Sequence, residues 1–321
     1  MAEVTVVVQA GEFRGDVAAL AALSPAVEVR FANSVEELGS ALEGADVLFG
    51  FDFKGKMLPQ VWDAARDLRW IQWAGAGVDA LLFPDLVNSD VLVTNAGGIY
   101  DDAISEHVLA LMLAHAKRLP DAVRNQQTST WQYQTVRPVR GTTAVVLGAG
   151  GIGRAIARLL LAVGVDTTLV ATSTRFDEEF GSVTAWGDRD LSRTDWLVVA
   201  APLTPSTRQL IDAAVLAELP SRATLINVGR GASLDEAALA AALYAGELAG
   251  AGLDVFEIEP LPSDSPLWQM DSVIITPHHA GDLDDYAERV SALFLENLAR
   301  YRAGQLLHNV IDKRLGYRAI H

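Results

Sequence analysis

Thr143-Ala-Val-Val-Leu-Gly-Ala-Gly-Gly-Ile-Gly153 is the stretch whose reading decides the fold. Ala144 to Leu147 is an apolar run of strand character, glycines stand at 148, 150, 151 and 153, and Arg154 to Ala162 continues with helical periodicity. In that setting Gly148 permits a tight turn, Gly150 lets backbone approach a pyrophosphate, and Gly153 lets the helix pack closely on the strand. The orphan N–H groups of the first helical turn, around Gly151 and Ile152, are expected to face the phosphates. A glycine string alone is a weak signal; between a strand and a helix it reads as a dinucleotide site.

The remainder of the chain sets bounds on that reading. Its 321 residues suffice for two ordinary domains, and half of them are hydrophobic, which argues against disorder. The formal net charge of -16 argues against a nucleic-acid surface or an anionic membrane, while leaving room for an anionic substrate held by a local arginine. There is no cysteine, hence no disulfide framework, thiol nucleophile or zinc–thiolate site. The opening Met1-Ala-Glu-Val has no basic leader and no apolar stretch is long enough to span a bilayer, so the expected setting is cytoplasmic.

Upstream of the glycines, strands are expected at Val4 to Val8, Val27 to Phe31, Ala45 to Gly50, Leu68 to Trp73 and Val91 to Thr94. Gly11 to Leu23 reads as a loop and helix, and Val35-Glu-Glu-Leu leads into another helix. Strands separated by helices predict a parallel sheet covered on both faces. No phosphate-type glycine loop occurs in this part. It does contain Gly75-Ala-Gly-Val78 directly after a strand, where Gly75 and Gly77 leave N–H groups that can form an anion-holding nest, the other reading being a plain strand-to-helix turn. Ala103 to Arg118 predicts a long, mostly apolar helix in which His107 and His115 are structural groups. Lys117-Arg-Leu-Pro120 stops it, and Asn125 to Gln134 is expected to be an extended connection anchored by Trp131 and Tyr133.

Downstream, Thr167 to Thr172 predicts the second strand of the dinucleotide unit. An enzyme that uses NAD places Asp or Glu at the end of this strand to grip the ribose 2′-hydroxyl. Here the chain reads Ala171-Thr-Ser-Thr-Arg175, with no acid before Asp177. Thr172, Ser173 and Arg175 suit a 2′-phosphate, so NADP(H) is the favoured cofactor and NAD(H) remains usable. Strands follow at Trp196 to Ala200 and Thr224 to Asn227, leading to Pro202-Leu-Thr-Pro205 and Gly229-Arg-Gly231. Ligands of an open sheet gather beyond the carboxyl ends of its strands, and Arg230 between two glycines there is suited to a planar carboxylate. A strand at Leu253 to Phe256 runs into Glu257-Ile-Glu-Pro-Leu-Pro262, and Val273 to Thr276 runs into Pro277-His-His-Ala-Gly281. A histidine at such an edge titrates near neutrality and an adjacent carboxylate fixes its tautomer. The residues alone leave open whether His278 or His279 is that histidine, and whether Glu257 or Glu259 is its partner. They lack a metal-ligand spacing, and no metal is expected.

Taken together, Gly75-Ala-Gly-Val-Asp79, Gly148 to Gly153, Pro202 to Pro205, Ile226-Asn-Val-Gly-Arg-Gly231, Gly252-Leu-Asp-Val-Phe256, Glu259-Pro-Leu-Pro262 and Thr276-Pro-His278 resemble, in order and spacing, the D-isomer-specific 2-hydroxyacid dehydrogenases. The likeness covers nearly the whole chain. It implies an α/β protein of two Rossmann-like parallel-sheet domains, one of them discontinuous, with a cleft between them that closes during turnover. The substrate-binding domain would be residues 1–96 plus 283–321, and the dinucleotide-binding domain 97–282. The catalytic residues implied are Arg230, Glu259 and His278, with Gly75, Ala76, Gly77 and Val78 sharing the substrate carboxylate with Arg230. Cofactor contacts implied are Gly148, Gly150, Gly151, Ile152, Gly153, Pro202 and Asp254, the last near the nicotinamide amide. The implied reaction is hydride transfer between a nicotinamide cofactor and a small 2-oxo acid such as glyoxylate or hydroxypyruvate, in a homodimer. The alternative is a non-catalytic redox sensor that binds dinucleotide and acts through a protein partner.

Overall fold

A computed structural model of the chain describes residues 4–9 and 27–318. The loop and helix expected over Gly11 to Leu23 lie outside the described residues. The chain divides into two compact units, Met1–Ile99 with Leu283–His321, and Tyr100–Asp282.

The first unit is built on a five-stranded sheet of β1 (Val4–Gln9), β2 (Val27–Ala32), β3 (Val47–Gly50), β4 (Trp70–Trp73) and β5 (Leu92–Thr94), in the order β2-β1-β3-β4-β5. Every pairing is parallel. Strands β1, β3 and β4 in its middle are mainly apolar and almost wholly buried, whereas the edge strand β2 alternates Val27, Val29 and Phe31 with Glu28 and Arg30. Helix α1 (Val35–Leu42) starts where Ser34 accepts from the Glu37 N–H and Glu37 reaches back to the Asn33 N–H, satisfying orphan donors at the helix start. Helix α2 (Pro84–Asn88) is a single short turn opened by its proline. The C-terminal helix Tyr286–Arg302 returns to this unit, where Phe294 stacks on Phe49 at 4.2 Å and Asn297 donates to the buried Gln72 amide. The tail follows it, with Ile311 bonded to the Val93 carbonyl and buried in the core.

The second unit carries an eight-stranded sheet. Its strands are β6 (Thr143–Leu147), β7 (Asp166–Ala171), β8 (Arg175–Asp177), β9 (Gly181–Ala185), β10 (Trp196–Val199), β11 (Thr224–Asn227), β12 (Gly250–Leu253) and β13 (Val273–Ile275), ordered β13-β12-β11-β10-β6-β7-β9-β8. All pairings are parallel except β8 with β9. Helices α3 (Asp101–Ala116), α4 (Leu119–Gln127), α5 (Gly151–Ala162), α6 (Ala213–Ala217) and α7 (Glu236–Tyr244) complete it.

Three local readings change. The strand expected from Leu253 to Phe256 is Gly250–Leu253, and the chain has already left the sheet at Asp254. Glycine and alanine hide this strand from propensity, yet a Cβ at Gly252 would press on Leu111 of α3 at 3.1 Å and one at Gly250 would meet the Ser272 carbonyl at 2.7 Å. Close packing, rather than intrinsic preference, sets the composition there. The segment after Lys117 is first the helix α4, with Pro120 in its opening turn, so the proline begins a helix as well as ending one. Trp131 and Tyr133 anchor nothing: they are 101% and 88% exposed. Finally, the β8–β9 hairpin continues the sheet after β7, where Arg154 pairs with Asp177 and Glu179.

Candidate active site

Strand order determines which side chains can meet. Because β11, β12 and β13 are neighbours, with Asn227, Leu253 and Ile275 in register, the loops leaving them are neighbours too. Arg230 follows β11, Glu259 follows β12 and His278 follows β13. The glycines beside Arg230 do more than leave space. A Cβ at Gly231 would lie 1.8 Å from the Phe256 carbonyl carbon, and one at Gly229 would lie 2.9 Å from the Ala201 oxygen. The loops therefore pack backbone on backbone. Asn227 braces the first, its Nδ2 donating to the Arg230 carbonyl at 3.1 Å and its Oδ1 accepting from the Gly229 N–H.

His278 and Glu259 form a pair. His278 Nδ1 lies 2.7 Å from Glu259 Oε2, while Oε1 accepts the Phe256 N–H at 2.9 Å. The hydrogen bond to Glu259 raises the His278 pKa above its ordinary value, against burial, with the charges of Glu259 and Asp254 helping and that of Arg230 opposing. Burial pushes Glu259 upward, but its bonds from His278 and the Phe256 N–H, with the charges of His278 and Arg230, leave it below the usual carboxylate range. The histidine side chain remains 48% exposed, so it is open to a reactant. His279 uses its backbone N–H on Asp254 and sets its ring edge-on against His107. Glu257 is turned to the start of α7, where its carboxylate accepts the Glu236 N–H and its own N–H donates to the Glu236 carboxylate. Arg230 is half-buried and donates from Nη1 to the Gly229 carbonyl at 2.8 Å.

The glycine stretch lies at the point where the sheet order reverses, between β6 and β10. Gly148 has φ of 115°, and a Cβ there would lie 2.8 Å from the Ala200 backbone. At Gly153 a Cβ would fall 1.7 Å from the Gly148 oxygen, so the first turn of α5 sits directly on the loop. Gly150 differs: a Cβ there would touch nothing within 4 Å, and it heads a helix whose start has no side-chain cap. That open space beside backbone donors at a helix N-terminus fits a pyrophosphate. Gly151 and Ile152 open that turn. Arg175 begins β8 and donates to the Ala149 carbonyl at 3.3 Å, which brings its guanidinium to the same loop. Thr172 and Ser173 are exposed between β7 and β8. The nearest downstream acid, Asp177, is engaged by Arg154 and by the N–H groups of Glu179 and Phe180. Pro202 follows β10, its carbonyl accepting from the Thr207 hydroxyl at 2.7 Å.

In the first unit, Gly75 to Val78 follow β4. The carbonyls of Gly75, Ala76 and Gly77 are taken by the Ala96 N–H, Asn95 Nδ2 and Trp73 Nε1 respectively. No described residue accepts from the N–H groups of these four positions, so the segment presents donors. Asn95 and Trp73 hold it, and neither is signalled by residue type alone.

A parallel sheet with a phosphate-type helix start at its reversal point, and a histidine paired with a carboxylate farther along the same edge, defines a nucleotide-dependent enzyme architecture. A family model described as D-isomer specific 2-hydroxyacid dehydrogenase, NAD binding domain, matches residues 109–280. The glyoxylate reductase of Korarchaeum cryptofilum is 30% identical over 264 residues, covering 80% of this chain and 80% of that protein. Among solved structures, a D-isomer specific 2-hydroxyacid dehydrogenase from Xanthobacter autotrophicus Py2 in complex with NADPH and MES is 33% identical with a TM-score of 0.82, covering 98% of this chain and all (100%) of that one. The NADPH-dependent glyoxylate/hydroxypyruvate reductase of Sinorhizobium meliloti, in complex with NADP and sulfate, is 30% identical with a TM-score of 0.83, again covering 98% of this chain and 100% of the other. The protein belongs to the D-isomer specific 2-hydroxyacid dehydrogenase family. Its cofactor is a nicotinamide dinucleotide and its substrates are small 2-oxo and 2-hydroxy acids.

Proposed function

We propose that the protein reduces glyoxylate, hydroxypyruvate or a similar small 2-oxo acid, with NADPH preferred over NADH, and that Arg230, Glu259 and His278 are its catalytic residues. The observation that carries this reading is the 2.7 Å contact between His278 Nδ1 and Glu259, on strand ends adjoining the one that bears Arg230. Gly148, Gly150, Gly151, Ile152 and Gly153 would hold the pyrophosphate, Pro202 and Asp254 the nicotinamide end, and Thr172, Ser173 and Arg175 the 2′-phosphate. The bound cofactor would supply the hydride. The N–H groups of Gly75, Ala76, Gly77 and Val78 bind the substrate carboxylate, as does Arg230, whose guanidinium also polarises the keto oxygen. With Nδ1 committed to Glu259, Nε2 is the ring atom that gives a proton to the keto oxygen as it becomes a hydroxyl. Glu259 keeps the ring cationic until that transfer, because its carboxylate favours the protonated imidazole. In the oxidative direction the same Nε2 accepts the proton. A cytoplasmic setting is part of this reading.

The homodimer is proposed on the same footing. Leu119, Val123, Trp131, Tyr133 and Val136 are all exposed on or just after α4, a helix with no buried residue. An apolar surface of this kind is uncommon on a monomer. The deciding experiment is a panel of glyoxylate, hydroxypyruvate, pyruvate and bulkier 2-oxo acids with purified protein and NADPH. Steady cofactor oxidation is expected. Tight cofactor binding without turnover on any of them would replace this reading with that of a dinucleotide-binding sensor.

A further inference from the structure

His107, Asp254 and His279 bring one ligand-type atom each within 4.8 Å of one another. Their hydrogen bonds give the cluster a different use from metal binding. Asp254 is 1% exposed. Its Oδ1 accepts the Thr276 hydroxyl at 2.6 Å and the His279 N–H at 3.1 Å, and its Oδ2 accepts the Ala280 N–H at 3.0 Å. A hydroxyl has one proton, and Thr276 gives it to Asp254. The 3.1 Å contact between Thr276 Oγ1 and His107 Nε2 is therefore one in which His107 donates. This assigns His107 the Nε2–H tautomer. Donation runs from His107 to Thr276 to Asp254, and Asp254, at the end of β12, holds the loop that carries His278. Asp254 grips that loop two residues before His278, through the Thr276 side chain, and through the two N–H groups that follow it. His278 itself sits at φ of 54°, a left-handed conformation that a residue with a side chain keeps when its surroundings over-determine it.

We infer that His107 is a positioning residue: its Nε2–H holds the Thr276 hydroxyl as a donor to Asp254, which fixes the 276–280 loop in the shape that aims His278 at Glu259. This rests on the proposed reduction through His278. His107 reaches that histidine only through two intermediaries, from α3. The charged and titratable groups facing His278 are Glu259, Arg230 and Asp254, and those facing His107 are Asp254 and His279. Asp254 is common to both sets, so it is the route by which a change at His107 is felt at His278. Burial lowers the His107 pKa, with the Asp254 charge opposing and His279 assisting, which favours the neutral ring that the Nε2–H contact requires.

The test uses the full chain and NADPH-dependent reduction of whichever 2-oxo acid turns over best. His107→Leu keeps the bulk and removes the donor, whereas His107→Gln keeps an N–H of similar reach. H107L should lose roughly 10- to 100-fold in kcat, the scale of a misplaced reacting group. Its KM for the 2-oxo acid and its NADPH affinity should stay within about twofold. The pH at which reduction falls away should move down in H107L, and H107Q should recover most of both effects. Thr276→Val should reproduce H107L and Thr276→Ser should behave as the parent. The H107L/T276V double variant should be no worse than the poorer single, as expected for one chain of bonds. If H107L does not fold, the T276V and T276S pair carries the same comparison. Parental kcat and pH profile in H107L or T276V would overturn the inference. So would an H107Q no better than H107L, or a loss that follows only the folded fraction with the pH profile unmoved. Including His278→Ala separates the two levels: lost turnover there beside a parental H107L overturns the positioning role alone, whereas retained turnover in H278A overturns the proposed reaction.

Discussion

On the proposed reading both units hold an anion at the carboxyl ends of parallel strands, and they do so with different chemistry. At the end of β4 the first unit offers backbone only: three successive carbonyls are tied back by Ala96, Asn95 and Trp73, so the intervening N–H groups point away as donors. At the ends of β11, β12 and β13 the second unit offers an arginine, a glutamate and a histidine; the arginine charge lowers the pKa of both Glu259 and His278, and the latter two shift each other. Backbone N–H donors bind a carboxylate and favour its charged form, but they hold no proton that they can give up. The titrating side chains can bind and also pass a proton. The difference teaches where binding and chemistry should separate under mutation.

The largest expected effect is at the charged end. His278→Ala should cut turnover by roughly 10²- to 10⁴-fold, the usual scale for a general acid–base group, while cofactor affinity measured by fluorescence titration barely changes. His279→Ala should stay near parental, and the reverse outcome would break the assignment. At the neutral end, a Cβ at Gly75 would sit 3.0 Å from Trp73 Nε1 and disturb its bond to the Gly77 carbonyl. Gly75→Ala should therefore raise KM for the 2-oxo acid about 5- to 30-fold, equivalent to one or two kcal/mol, with a smaller change in kcat. A kcat loss as large as that of H278A would show that the backbone segment takes part in chemistry.

Cofactor choice sharpens the comparison a step further. Arg175→Ala should lower the ratio of kcat/KM for NADPH over NADH by roughly 5- to 30-fold, matching the loss of one charge-assisted contact. An unchanged ratio removes Arg175 from the 2′-phosphate site. Glu259→Gln tests coupling at the charged end. Reduction needs His278 protonated, and its raised pKa keeps it so to higher pH; reduction is lost as pH rises through that value. Removing the carboxylate should move this fall to lower pH in a kcat/KM profile. The smallest effect concerns stability. His115 is held below its ordinary pKa chiefly by burial, with its bond to the Ala251 carbonyl opposing and Arg137 assisting. A depressed histidine favours the fold fully above its unfolded pKa and weakens it as pH falls below that, because the unfolded chain takes the proton more readily. His115→Gln should flatten the acid side of a Tm-versus-pH curve, slightly.

How far the sequence carried depends on what kind of restraint acts at each place. Apolar strands such as Trp196–Val199 and Thr224–Asn227 were legible because burial on both faces demands continuous hydrophobic runs. Gly250–Leu253 was not, because its glycines answer to Leu111 and the Ser272 carbonyl, which are distant in sequence. The hairpin Arg175–Asp177 with Gly181–Ala185 was missed for a related reason: it is short, largely unburied, and secured by ion pairs to Arg154. At the candidate site, residue types marked the loops, but the meeting of the His278 ring with Glu259 turns on the left-handed backbone at His278 and on Asp254 holding the His279 backbone N–H beside it. The donor chain from His107 was out of reach, since it joins residues separated by more than a hundred positions (|i−j| of 169 for His107 and Thr276).

Arg175 sits on the terminal strand of its sheet, and in strand order β6, β7, β9 and β10 all stand between it and the ends of β11, β12 and β13. With Arg175 gripping the 2′-phosphate as proposed, substitutions in the hairpin would change coenzyme preference while leaving the loops that carry Arg230, Glu259 and His278 untouched, so coenzyme choice and proton handling are separable by position in the sheet.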